Sequence, residues 1–312
     1  MVRTIYGLVL LSLACVGLAG CGPADAGAKQ ARYPLRVVCT TAQVGDMVRN
    51  IGGSHVLVEV LMGPGVDPHL FEAALDTLPT LESADAVFYS GLHLEGRLAE
   101  ALEHLRDETT VAVTEELEKN RSPRLRQPPE YHGTYDPHVW FDASLWAECA
   151  RYAAQRLGEM DPAHANDFRD LGDRYVKSLL ELHEETRQRM AEIPKQQRVL
   201  VTAHDAFGYF GQAYDVEVHG LQGISTSDEA DIQGIQRLVD LLVSRNVKAV
   251  FIESSIAPKN IETLIENCAS RGHQVKLGGE LFSDALGDPK TELGTYVGMM
   301  KYNVNTMVEA LR

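Results

Sequence analysis

The feature that most restricts the fold of this chain is a helical pattern about 32 residues long, set between two halves that each alternate strand-like and helix-like runs. Asp161 supplies an N-cap, Pro162 suits a first helical position, and Pro194 halts the run. Phe168, Leu171, Tyr175, Leu179, Leu182, Thr186, Met190 and Ile193 recur at spacings of three and four, a mostly apolar stripe along one face. At 1.5 Å per residue the rod is roughly 48 Å long, enough to lie against both halves and to restrain wide hinge opening. Strand-like runs are predicted at 35–40, 56–61, 86–89 and 110–113, and again at 198–202, 216–221, 247–252 and 273–277. Helices are predicted between them, at 72–82, 96–105, 232–245 and 259–271. Such alternation calls for parallel or mostly parallel sheets covered on both faces. The expected fold is α/β, with two α/β sandwich lobes at 34–160 and 195–312 joined by a backbone helix at 161–194.

The N-terminus bears on location. Arg3 gives a positive start, 5–20 is apolar but short for a bilayer span, and Leu18-Ala19-Gly20-Cys21 ends it with small residues before a cysteine. Those four residues resemble a bacterial lipobox, which implies a signal peptide at 1–20, cleavage before Cys21 and lipid attachment to its thiol. A flexible tether at 21–33 would follow, placing the protein outside the cytoplasm, anchored to a bacterial membrane and facing the periplasm or cell surface. Removing 20 residues from 312 leaves 292, enough for two lobes with cores of their own. Lys+Arg 29 against Asp+Glu 44 gives −15, and loss of Arg3 makes it −16, which argues against nucleic-acid binding. Cys39, Cys149 and Cys268 remain, an odd and widely spaced set in apolar surroundings, so buried free thiols are expected and no disulfide framework.

Four residues carry chemistry: His69 in Asp67-Pro68-His69, His138 in Asp136-Pro137-His138, His204 in Thr202-Ala203-His204-Asp205, and Asp284 in Phe282-Ser283-Asp284. Three imidazoles and a carboxylate suit a borderline divalent cation such as Zn²⁺ or Mn²⁺. Two come from each half, so convergence would put the metal between them. In open α/β sheets ligands bind beyond the carboxyl ends of strands. His204 lies two residues past a strand expected to end at Thr202, His69 follows the strand at 56–61, and Asp284 follows the strand at 273–277. His138 comes after a Pro-rich loop, and that rule does not place it. Glu253 and Asp205 are candidate acceptors that would orient an imidazole from behind. His132 is a candidate accessory contact; His55, His93, His104, His164, His183, His219 and His273 read as structural or solvent-facing. No His-Glu-x-x-His, Walker, Gly-x-Ser-x-Gly or dinucleotide fingerprint occurs. Four protein ligands also leave no position for the water or substrate that a catalytic zinc needs.

Together these residues resemble the zinc/manganese-type solute-binding proteins of bacterial ABC importers, the group that includes the TroA-like lipoproteins. The resemblance covers nearly the whole mature chain. Beyond the ligand motifs it is carried by Ile51-Gly52-Gly53, GLHLE at 91–95, Val139-Trp140, Ala206-Phe207, Gly223-Ile224-Ser225-Thr226, Phe251-Ile252-Glu253, Leu281-Phe282-Ser283-Asp284-Ala285-Leu286-Gly287 and Thr295-Tyr296-Val297-Gly298-Met299-Met300. It implies two lobes on a backbone helix, metal held by His69, His138, His204 and Asp284, and delivery of the ion by a monomer to a membrane permease, without chemistry. Zinc-specialised members often carry a long His-rich loop where 121–134 here is short; manganese-specialised members often have glutamate where this chain has His204. The metal, zinc or manganese, stays open. A zinc-dependent hydrolase and a surface adhesion protein with a structural metal are the rival readings.

Overall fold

The β-branched and aromatic runs of the first half form strands, as their composition dictates. The computed structural model describes residues 33–105, 108–131, 133–227 and 232–312. Its first half contains β1 (Leu35–Thr41), α1 (Ala42–Gly52), β2 (Val56–Met62), α2 (Thr77–Ser83), β3 (Ala86–Tyr89), α3 (Ala99–His104), β4 (Thr110–Ala112), α4 (Glu115–Lys119) and α5 (Ala143–Met160). These strands make a parallel sheet in the order β2-β1-β3-β4. Its inner strands β1 and β3 are buried along almost their whole length and mostly apolar, as a parallel sheet covered on both faces requires. After α6 (Ala165–Met190) follow β5 (Val199–His204), α7 (Gly208–Tyr214), β6 (Glu217–Gln222), α8 (Ile232–Arg245), β7 (Ala249–Glu253), α9 (Lys259–Ser270), β8 (Lys276–Leu281) and α10 (Tyr296–Leu311). Here the strands form two parallel pairs, β5-β6 and β7-β8. The fold is α/β with parallel sheets and a long helix between the halves. The segment at 1–20, Cys21, the tether up to Arg32, and His132 lie outside the described residues.

Several elements differ from expectation, each for a local reason. The helix expected at 72–82 begins only at Thr77. Pro79 is then in its first turn; a start five residues earlier would put that ring inside the helix, against the carbonyl of Leu75. The residues so released, 63–76, become the loop that carries His69. The strand expected at 273–277 runs Lys276–Leu281, through Gly278 and Gly279. A Cβ at 279 would lie 2.7 Å from Thr306 Cγ2, so the glycine lets α10 press on the strand. β5 continues through His204, whose Cα pairs with Gln222, so this histidine ends a strand and is not a loop residue. The expected alternation gives no bounds for the helices α1, α4, α5, α7 and α10.

The long helix forms, but shorter than expected. Residues 162–164 make a 3-10 turn and α6 proper runs Ala165–Met190, 26 residues or about 39 Å. Asp161 does not cap α6; its carboxylate meets His164 Nδ1 at 2.6 Å. Phe168, Tyr175, Leu179, Leu182, Thr186 and Met190 are buried as the stripe predicts. Gly172 lies where a Cβ would come within 2.8 Å of Ala154, which allows α6 to pack closely on α5. From the same helix Tyr175 donates to Asp46 on α1 at 3.3 Å, and Arg189 donates to Asn305 on α10 at 3.2 Å. It therefore touches both halves.

One apolar cluster runs from Leu35 to Leu311 and includes Phe88, Trp140, Trp146, Phe207, Phe251 and Tyr296. The halves thus share a core instead of holding two separate ones. A second cluster lies under α8 and α9, and a third between the first sheet and α2 and α3. Cys39, Cys149 and Cys268 are free and buried.

Candidate metal centre

The loop after β2 presents His69. Asp67 Oδ1 accepts from the His69 main-chain N–H at 2.9 Å, and its Oδ2 accepts from Thr226 of the second half at 2.6 Å. From the other side Gly96 supports the loop, since a Cβ there would lie 2.6 Å from the His69 carbonyl oxygen. Gly96 is held in turn by Glu95, whose buried carboxylate accepts from Thr40 Oγ1 at 2.7 Å and from the N–H groups of Ser90 and Gly91.

His138 follows a tight Asx turn. Asp136 Oδ1 accepts from the His138 N–H at 3.0 Å and faces Nδ1 at 2.8 Å, which puts the hydrogen on Nδ1 and frees Nε2. His204, at the end of β5, is gripped the same way by Glu253 at the end of β7. Oε1 accepts from the His204 N–H at 2.8 Å and Oε2 meets Nδ1 at 2.6 Å. Asp284 follows β8, and the first half holds its loop: Trp140 Nε1 and Gln43 Nε2 donate to the Ser283 carbonyl at 3.2 and 3.4 Å.

These side chains converge. One ligand atom from each of His69, His138, His204 and Asp284 lies within 4.8 Å of the others, and all four residues are buried. His69 Nε2 is 3.3 Å from His138 Nε2. Asp284 oxygens lie 3.4 Å from His138 Nε2, 3.3 Å from His204 Nε2 and 3.9 Å from His69 Nε2. A tetrahedral site with bonds of about 2.0–2.2 Å needs ligand atoms roughly 3.3–3.6 Å apart, and three of these four separations already fall in that range, with His69 standing farther off from Asp284 at 3.9 Å. Its polar atoms also lack other partners: His204 Nε2 and both Asp284 oxygens are buried and make no hydrogen bond. Burying such groups unsatisfied is costly, and a cation at their centre would satisfy all of them at once.

The charges separate the imidazoles into two kinds. Burial drives the His69 ring down to about 3, so it stays neutral. Burial also works against charge on His138, but the carboxylates of Asp136 and Asp284 outweigh it and push the ring up to about 9. His204 is pushed well up in the same way, against burial, by Glu253 and Asp284. The two rings in return hold the Asp284 carboxyl well below its usual range, although burial opposes this. A metal-free cage therefore holds protons that a metal ion must displace.

Of the two expected acceptors, Glu253 orients His204 and Asp205 does not. Asp205 is half-buried beside Asp136, and its main-chain N–H bonds to Gly223. The acceptor behind His138, Asp136, went unrecognised, although Asp-Pro-His is the sequence of a turn in which the aspartate reaches the N–H two residues on. Asp67 makes the same turn before His69.

The chain matches the family model of zinc-uptake complex component A, periplasmic, over residues 37–310. It is 44% identical to the manganese-binding lipoprotein MntA of Bacillus subtilis (strain 168) over 300 residues, 96% of each chain. It is 43% identical to the zinc-binding protein TroA of Treponema pallidum (strain Nichols) over 276 residues, 88% of each. A solved structure of the periplasmic zinc-binding protein TroA from Treponema pallidum superposes with a TM-score of 0.85 at 42% identity, covering 89% of this chain and 99% of that one.

Proposed function

The chain belongs to the family of periplasmic zinc-uptake components, and from that premise we propose that His69, His138, His204 and Asp284 are the ligands of its transported metal ion. The protein binds Zn²⁺ or Mn²⁺ outside the cytoplasm and delivers it to an ABC-type metal importer, in keeping with relatives named for manganese and zinc binding. The observation that carries the ligand assignment is the buried convergence of four donor groups, among which His204 Nε2 and both Asp284 oxygens make no hydrogen bond. Four protein ligands fill that tetrahedron and leave no position for an activated water, so the reading is capture and release, not hydrolysis. We place the protein on the membrane through a lipid on Cys21, as a monomer, with 34–160 and 195–312 as lobes on the spine at 161–194. Three nitrogen donors favour zinc over manganese by intrinsic affinity.

Elemental analysis of protein purified without added metal, followed by zinc–manganese competition, tests the reading. One equivalent of bound metal, with zinc the tighter, is expected. Absence of tight binding by the parent, or undiminished binding after His138→Ala, overturns the ligand assignment; metal-dependent turnover of a phosphoester or peptide would restore the hydrolase reading.

A further inference from the structure

Asp136 and Glu253 do the same task with different means. Glu253 spends both oxygens on His204, one on its N–H and one on Nδ1. Asp136 spends only Oδ1 on His138, and its Oδ2 is taken by the guanidinium of Arg126. Asp136 is fully buried, so without Arg126 its Oδ2 would be left unpaired, and the carboxylate would turn or recruit water at the expense of Nδ1.

Arg126 is itself fixed from the second half. Tyr209 Oη on α7 accepts from the Arg126 N–H at 3.1 Å and donates to the Asp136 carbonyl at 2.9 Å. The Asp136 N–H donates to the Arg126 carbonyl at 2.9 Å, closing the base of the loop between them. The guanidinium lies 5.8 Å from the Tyr209 ring centroid and fills the place a side chain at 208 would take. A Cβ on Gly208 would lie 1.1 Å from its Nη1 and 2.0 Å from its Cζ. Gly208 opens α7, four residues after His204.

We propose that Arg126 is a positioning residue for the metal site, a clasp that fixes Asp136, and through it His138, against the helix that follows His204. The proposal rests on the ligand assignment above. It makes Gly208 part of the same device, because a Cβ there would push the guanidinium out of the place from which it meets Asp136.

The test compares Arg126→Met, Arg126→Lys, Gly208→Ala and the Arg126→Met/Gly208→Ala double variant. Zinc affinity and release to a chelator are measured, with the visible spectrum of the Co²⁺-loaded protein and the thermal midpoint of the metal-free protein. Arg126→Met and Gly208→Ala should each weaken zinc binding by about 10–100-fold and alter the Co²⁺ bands. The double variant should lose no more than the worse single one, since both act through one guanidinium. Arg126→Lys should recover part of the loss by returning a cation to Oδ2. If Arg126→Met does not fold, Gly208→Ala carries the test with every charge in place. Zinc binding within about twofold of the parent in both, an unchanged Co²⁺ spectrum with only a lowered thermal midpoint, or additive losses would each overturn the clasp. Loss of binding in His138→Ala with none in Arg126→Met removes the clasp alone; binding unchanged in His138→Ala removes the ligand assignment beneath it.

Discussion

The three imidazoles of the cage are held in two different ways. His138 and His204 have a carboxylate on Nδ1, at 2.8 and 2.6 Å, and are wholly buried. His69 is fixed through its main chain by Asp67 and Gly96, is 4% exposed, and its ring meets no supporting carboxylate among the described residues. Two of the proposed ligands are thus oriented and made more basic before any metal arrives, while the third is held through its main chain. On this asymmetry the His138 and His204 side of the cage should set affinity, and the His69 side should yield when metal leaves.

The largest effect expected from this asymmetry is in alanine replacements. His138→Ala or His204→Ala should lower zinc affinity by more than the roughly 10–100-fold that loss of a supporting carboxylate costs, and by more than His69→Ala does. His204→Ala should also lower the thermal midpoint, because the residue ends β5 in the core and its loss leaves Glu253 Oε2 buried without its ring partner. His183→Ala, whose ring meets Tyr214 and Asp142 outside the cage, should leave binding unchanged. Chelator competition across these variants breaks the comparison if His69→Ala proves the most damaging.

A smaller effect separates the supports themselves. Glu253→Gln should cost about 10–100-fold in zinc affinity, whereas Asp67→Asn, whose amide oxygen can still accept from the His69 main chain while the bond from Thr226 is disturbed, should cost less. Equal losses would mean that His69 is oriented as strictly as the other two.

Proton competition gives the next test. His138 holds its proton up to about 9 in the metal-free cage, and a ligand must be neutral at the ligating nitrogen. Zinc affinity should therefore keep rising with pH up to at least about 9, since His138 and His204 must both give up a proton to the metal. Stability of the metal-free protein should move the other way. A folded-state value above the ordinary 6.5 or so contributes stability that is full below 6.5 and is lost as pH rises through 9. His204 has the same sign. His69, driven down to about 3, has the opposite sign and removes stability as pH falls below about 6.5. Calorimetric titration and thermal melts over pH 5–9 read both slopes; affinity flat from about 6.5 to 9 would show that His138 is already neutral.

How far the sequence spoke to all this follows from where the forces are local. β3 at Ala86–Tyr89 and α8 at Ile232–Arg245 match their expected bounds, because a short apolar run or an unbroken amphipathic period fixes each within its own residues. α5 was not recognised: five of its nine buried residues are alanines, Ala143, Ala147, Ala150, Ala153 and Ala154, which mark the buried face less plainly than Leu145, Trp146 and Leu157 beside them. β8 was displaced because glycines that weaken a strand locally are demanded there by α10. In the cage, the ligand types and motifs were readable, and so was Glu253 at a strand end. The Arg126–Gly208 contact was not, because its 82-residue separation closes only in the fold.

The smallest expected effect is a change in overall size on metal binding. Metal binding should still stabilise the fold by about 4 kcal/mol at a thousandfold excess over its dissociation constant, visible as a raised thermal midpoint. Yet the apolar cluster spans both halves, Tyr296 Oη donates to the Trp140 carbonyl at 2.5 Å, and Asp46 accepts from both Tyr175 and the Tyr296 N–H. Opening the halves as free domains would break that core and these buried hydrogen bonds together, and a hinge of this kind is far costlier than turning one ring. Metal should therefore act on the His69 loop at 63–76, with α6 and the His138 and His204 side of the cage already in place. Small-angle scattering should give the same radius of gyration with and without zinc, while hydrogen exchange slows in 63–76. A marked contraction on binding would show that α6 bends as a hinge, and the contrast between a fixed wall and a yielding His69 would then belong to the lobes instead of the ligands.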